Sequence, residues 1–211
     1  KRQNQMAMDG FVAVHDAGLN SSMMTALEQL EAENLLPIKV YAMLSLRDEK
    51  LMEKWIEKGP DKDLDSMLVT RSVKAYYDGA LGSRGARLLF DYSDQPGHRG
   101  ISGDGYGFNE ALMSRAMKQG FQVAIHAIGD AGNREAIDIL EKVFNEDQST
   151  RLNRHRIEHA QILHPDDLPR LSQLGIIASM EPAHAVEDKT WAEDRPVSYT
   201  HLRAHETFAN L

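Results

Sequence analysis

The feature that most constrains this chain is a rhythm in which short apolar runs of strand length alternate with longer amphipathic segments. The runs are FVAVHDAG (Phe11 to Gly18), PIKVYAML (Pro37 to Leu44), a strand within MLVTRSVKAYYDGA (Met67 to Ala80), FQVAIHAIG (Phe121 to Gly129), HRIEHAQI (His155 to Ile162) and IIASMEPAH (Ile176 to His184). Between them lie SSMMTALEQLEAEN, RDEKLMEKWIEKG, NEALMSRAMKQG, DAGNREAIDILEKVF and HPDDLPRLSQLG. The apolar positions Ala136, Ile137, Leu140, Val143 and Phe144 follow helical spacing. Apolar strands that are each followed by a helix predict a parallel sheet covered by helices. The class is therefore α/β, either an open doubly wound sheet or a (β/α)8 barrel. Ser21 or Ser22, Asn109 and Asp130 are the expected N-caps, with Pro165 in the first turn of a later helix. Gly59, Gly120 and Gly175 are the expected stops.

Composition narrows the chemistry. A net charge of −8 with no Lys/Arg cluster argues against binding a phosphate backbone, so no nucleic-acid partner is expected. There is no cysteine, so any metal must be held by nitrogen and oxygen ligands. No apolar run reaches the ~20 residues of a membrane helix, so no membrane partner is expected. The opening KRQNQMAMDG lacks both an initiator Met and a signal peptide's apolar core. It fixes no compartment, with the cytoplasm favoured.

Polar residues collect at the ends of the predicted strands, where the active sites of α/β barrels lie. Asp16 closes the first strand, Lys74 and Asp78 the third, His126 the fourth, His159 the fifth and His184 the sixth. Each has a plain structural reading. A single His after QVAI is more often a hydrogen-bonded core residue than a ligand. Lys74, inside SVKAYY, is costly to bury unless it is paired, neutralised or modified, and a salt bridge to Asp78 would suffice. His155 lies deeper in its strand and reads as structural, and Arg156 and Glu158 read as a pair. Taken together, a Lys and two His at successive strand ends point to a metal site. GDGYG (Gly103 to Gly107) and DGALGSRGA (Asp78 to Ala86) resemble phosphate-binding glycine loops, but they lack the flanking strand or the GK[ST] ending and read as flexible loop elements. The long Gly-rich stretch that contains them reads as functional or disordered.

VKAYYDGALGSR, GFQVAIHAIGDAGN, RHRIEHAQILHPDDLPRLSQLGIIASMEPAH and TWAEDR together resemble the amidohydrolase superfamily, and within it the YtcJ-like, type 3 amidohydrolase branch. The similarity runs from about Gly10 to Arg195. It implies a (β/α)8 barrel whose mouth holds one or two divalent ions, zinc above all. It also implies hydrolysis of carbon–nitrogen bonds other than peptide bonds, in small molecules such as amides and N-formyl compounds, by metal-activated hydroxide. On the superfamily's pattern Lys74 matches the lysine that is carboxylated in some branches, and His126 and His159 match the histidines of strands five and six. Asp78, Arg84 and His184 become candidates for orienting the substrate.

Two elements of that pattern are not seen: an HxH ahead of FVAVHDAG, and an eighth strand with its catalytic Asp. Residues 1–196 therefore read as a partial (β/α)8 barrel domain, covering about strands two to seven, that by itself should bind metal weakly and not turn over. Residues 197–211 read as a non-native tail that should pack poorly. VSYTHLRAHET (Val197 to Thr207) matches, residue for residue, one frame of the transposase adapter used to prepare sequencing libraries. His201 and His205, the most zinc-like spacing in the chain, are discounted on that ground. The competing function is a non-catalytic α/β barrel domain that binds a small molecule, and a homo-oligomer is compatible with either reading.

Overall fold

The computed structural model describes residues 2–63, 65–188, 192 and 195. The tail at 197–211, with His201 and His205, lies outside the described residues, as do Thr190, Trp191, Glu193 and Asp194 of TWAEDR. Among the described residues there are six strands, in the sheet order β1-β2-β3-β4-β5-β6 that is also their order in the chain. With helices in the connections, this is a partial (β/α)8 barrel: of the two architectures the rhythm allows, it is the one the family resemblance implies. The chain divides into two compact units, Lys1–Ala75 with Ala111–Val123, and Tyr76–Glu110 with Ala124–Leu211.

The first unit opens with α1 (Arg2–Met8) and carries β1 (Ala13–Leu19), α2 (Ser21–Ala32), β2 (Lys39–Ser45), α3 (Glu49–Lys58), most of β3 (Leu68–Tyr76) and most of α4 (Glu110–Lys118). β1 pairs in parallel with β2, and β2 with β3, in a register that sets Ser45 beside Lys74. The cap of α2 is Asn20, whose side chain accepts from Met23 N at 3.0 Å, rather than Ser21 or Ser22. Asn20 reaches the orphan N–H of the first turn while Ser21 is occupied by Asp48. Asp48 in turn caps α3 through Leu51 N, and Leu51, Met52, Trp55 and Ile56 form that helix's buried stripe. β1 departs from expectation. FVAVHDAG reads as a buried strand, yet Phe11 and Val12 are exposed and β1 is mostly open, because it is the edge of the described sheet.

The second unit carries most of β4 (Gln122–Ala127), α5 (Asp130–Glu146), β5 (Arg156–His159), α6 (Leu168–Leu174), β6 (Ile177–Ser179) and the short α7 (Pro182–Glu187). β4 pairs in parallel with β5, and β5 with β6. Ala136, Ile137, Leu140, Val143 and Phe144 are the apolar buried positions in the body of α5, as their spacing predicts. The N-cap of α5 is Gly129 and not Asp130. Asp130 is the first helical residue, and its carboxylate accepts from Ala131 N and Leu89 N. α6 begins after Asp167 with Pro169 in its first turn, later than a start at Pro165 would put it. Its stop at Gly175, in a left-handed conformation, is as expected. His155 is buried, with its ring hydrogen-bonded to Thr150 O and stacked on Phe144, the structural role its depth implies. Arg156 and Glu158 pair through two contacts of 2.6 and 2.9 Å.

The Gly-rich stretch after β3 is a packed loop rather than an open one. Tyr92 is fully buried with Leu81, Ala86, Leu88, Ile128, Ile162 and Ala192, and its hydroxyl donates to Ala86 O at 2.7 Å. Backbone bonds from Leu88 N to Arg99 O and from Tyr92 N to His98 O fold the stretch back on itself. Gly103–Tyr106 forms a single 3-10 turn.

Candidate metal centre

In the second unit the ends of three successive strands converge on imidazoles. His126 lies one residue from the end of β4 and His159 closes β5, but His184 does not close a strand as expected: β6 stops at Ser179, and Pro182 opens α7, which carries His184. The His126 and His159 ring centroids are 4.5 Å apart and edge-on, and those of His159 and His184 are 5.4 Å apart and stacked. Glu181, the residue before α7, lies between the last two. Its carboxylate is 3.0 Å from His159 Nδ1 and 3.3 Å from His184 Nε2. Among the described residues the group able to hold a metal ion is His159, Glu181 and His184, which each offer one ligand atom within 4.8 Å of the others. His184 Nδ1 is buried and makes no hydrogen bond among the described residues.

The local backbone explains the placement. β5 ends with His159 at φ 74° and Ala160 at φ 43°, left-handed values that non-glycine residues rarely adopt and that concentrate at functional sites. The turn they make is pinned on both sides. Ile162 N donates to Ile128 O, Asn133 Nδ2 donates to both Gly129 O and Ile162 O, and Gln161 Nε2 donates to Asp188 Oδ2 at the end of α7.

Asp78 has no exposed surface. Its Oδ2 accepts from Arg87 N and Gly129 N, and its Oδ1 accepts from Ile128 N, all within 3.0 Å. Burial pushes its carboxyl up to about 7, against the pull of the three backbone donors. Oδ1 also lies 3.6 Å from His126 Nε2, so this carboxylate sits behind the imidazole and faces backbone rather than solvent. The two glycines of HAIGDAGN permit the approach. A Cβ at Gly129 would lie 1.9 Å from Arg87 O, and one at Gly132 would lie 2.4 Å from Asp78 Oδ2.

Of the other residues singled out in the sequence, Arg84 forks onto Asp94 through two contacts of 2.8 and 3.1 Å. Lys74 is buried in β3 of the first unit, where its carbonyl accepts from Leu46 N. The structure thus gathers His126, His159, His184 and Asp78 in one unit. Sequence reasoning missed Glu181, although Glu-x-x-His in SMEPAH is a spacing that a helical turn brings to one face.

Neutral imidazoles with a carboxylate suit zinc and related divalent ions, and the half-exposed Glu181 leaves the cluster open to solvent, so the residues present fit such an ion. No helix among the described residues is long and apolar enough to cross a membrane.

Comparison with known proteins bears on the fold and the family. The chain is 37% identical over 159 residues to Protein LONG AFTER FAR-RED 3 of Arabidopsis thaliana, covering 72% of this chain and 27% of that protein. It is 28% identical over 177 residues to the YtcJ protein of Bacillus subtilis (strain 168), covering 82% and 31%. The chain thus spans about a third or less of the length of these curated relatives. Among solved structures, an uncharacterised metal-dependent hydrolase from Pyrococcus furiosus superposes with a TM-score of 0.82 at 28% identity, over 99% of this chain and 42% of that one. Its counterpart from Pyrococcus horikoshii OT3 gives 0.78 at 29%, over 95% and 39%. The profile of the amidohydrolase family matches residues 1–211, and the chain belongs to that family.

Proposed function

We propose that this chain carries part of the active site of a metal-dependent hydrolase acting on carbon–nitrogen bonds other than peptide bonds in a small molecule, such as an amide or N-formyl compound. The observation that carries the reading is the convergence of His126, His159 and His184 within one unit of a chain of this family. A divalent ion bound there, with zinc the best match to the donors, would supply Lewis acidity and a water pKa lowered toward ~7. Lys74, His126 and His159 are the proposed ligands, with Lys74 binding through the oxygens of a carboxylated side chain, since an ammonium has no lone pair to offer.

The chain's own residues do the positioning. Asp78 Oδ1 stands 3.6 Å from His126 Nε2, too far for a hydrogen bond, and its charge favours a proton on that nitrogen through space, with Nδ1 as the lone-pair donor. Glu181 does the same for His159 Nδ1, leaving Nε2 to donate. His184, part-exposed beside them, is the group best placed to hydrogen-bond a substrate carbonyl or amide. Residues 1–196 act as the partial barrel domain, and these residues alone are expected to bind metal weakly and not to turn over.

The test is replacement of Lys74, His126 and His159 by Ala in a longer chain that hydrolyses amides, with metal content and hydrolysis both measured. Loss of both supports the reading, and survival of both through all three changes sinks it. In that second case metal and hydrolysis belong to other residues of the longer chain, and this segment is left as a non-catalytic, small-molecule-binding barrel domain.

A further inference from the structure

We propose that His159, Glu181 and His184 form a divalent-cation site of their own, able to hold zinc or cobalt without Lys74 or His126. The idea deepens the hydrolase reading, on which it rests for the class of ion.

The geometry comes close to what one ion requires. Ligand atoms bound at ~2.1 Å around a tetrahedral ion stand roughly 3.4 Å apart. The Glu181 carboxylate already stands 3.0 Å from one ring nitrogen and 3.3 Å from the other, and one atom from each of the three residues falls within a 4.8 Å sphere of the others. Gathering these groups around an ion needs side-chain adjustments and no new fold.

The frame is fixed by backbone. Glu181 is the N-cap of α7 and His184 lies one turn on, with His184 N donating to Glu181 O at 3.0 Å, so their spacing is set by the helix start. His159 is held by the left-handed turn at the end of β5. Gln161, two residues after His159, is tied to Asp188 at the far end of α7, so β5 and α7 are braced against each other on either side of the cluster.

The chemistry selects the ion. Two imidazoles and one carboxylate prefer a borderline ion such as zinc or cobalt over calcium or magnesium, which seek all-oxygen shells. Glu181 supplies one negative charge, and with three protein ligands a position remains open for water or a substrate atom. His159 is shared with the metal centre proposed above, so occupation of this site and of that centre compete for one imidazole.

Cobalt(II) titration of the 211-residue chain, followed by visible d–d absorption and by calorimetry, tests this without any reliance on turnover. Glu181→Ala and His184→Ala should each weaken Co²⁺ binding by roughly tenfold or more, while Lys74→Ala should change it by less than about threefold. Far-UV circular dichroism checks that each variant folds, and Glu181→Gln and His184→Gln repeat the test with closer isosteres. Wild-type affinity in all four Glu181 and His184 variants overturns the proposal. If Lys74→Ala or His126→Ala then abolishes binding, the hydrolase reading stands while this site falls. If no replacement matters, both fall. A wild-type chain that takes up no Co²⁺, or a Lys74→Ala loss as large as that of His184→Ala, also overturns the independent site.

Discussion

Gly132→Ala tests whether the close approach of α5 to Asp78 governs the second unit. Gly132 lies in the first turn of α5, where alanine is the better helix former by about 1 kcal/mol. Propensity alone therefore predicts stabilisation. The structure predicts the opposite, because the new Cβ would lie 2.4 Å from Asp78 Oδ2 and 2.9 Å from the carboxyl carbon. Restoring an ordinary contact of about 3.5 Å requires a shift of roughly 1 Å. The carboxylate cannot make that shift freely, since Oδ2 holds Arg87 N and Gly129 N, both at 2.9 Å. Losing two buried hydrogen bonds of ~1–2 kcal/mol each outweighs the propensity gain and leaves a net loss of about 2 kcal/mol. For a chain of this length that is a fall in Tm of roughly 4–8 °C, read by thermal and urea denaturation with circular dichroism. Asp78→Gly combined with Gly132→Ala should show a favourable coupling of about 1 kcal/mol or more, because the clash partner is gone. A Gly132→Ala chain as stable as wild type, or more stable, would refute the reasoning.

Other consequences can be checked on the same chain. Burial lowers the His155 pKa to about 4 from its ordinary 6.5, so the folded state binds the neutral ring and the unfolded state takes up the proton first. Stability should therefore fall as pH drops from about 6.5 toward 4, by up to ~3 kcal/mol from this residue, and His155→Gln should flatten that limb of a urea-midpoint-versus-pH curve. Asp48→Ala removes the α3 cap and the contacts to Ser21, and should lower the urea midpoint by an amount worth about 1–2 kcal/mol. Hydrogen bonding lowers the Asp48 pKa, chiefly from the Ser21 hydroxyl, so that contribution is present above the ordinary carboxylate range and should vanish as the side chain protonates in acid. Tyr92→Phe strips the donor from Ala86 O at a fully buried position and should cost about 1–2 kcal/mol in the same assay, with no change in the far-UV spectrum.

The sequence by itself determined the element order and the class. Strand runs separated by helical stripes leave few solutions, and the α5 stripe from Ala136 to Phe144 is buried as its period demands. It also marked His126 and His159 at strand ends, because a histidine that breaks an apolar run is visible without coordinates, but it misplaced Asp16, which is in the middle of β1, and His184, which is in α7. Helix starts were less legible. Asn20 displaced the expected serines because several polar residues crowd that start and only the folded backbone decides which one reaches a free N–H, while α5 and α6 begin after Gly129 and Asp167 with no side-chain cap at all. The openness of β1 was not legible either, since apolarity records a tendency to be buried, and the partner that buries it belongs to tertiary structure. Only tertiary structure set Asp78 behind His126, held by backbone N–H groups that no local pattern encodes. It alone also drew Glu181 between His159 and His184, because two imidazoles more than twenty residues apart in the chain become neighbours only when parallel strands end side by side.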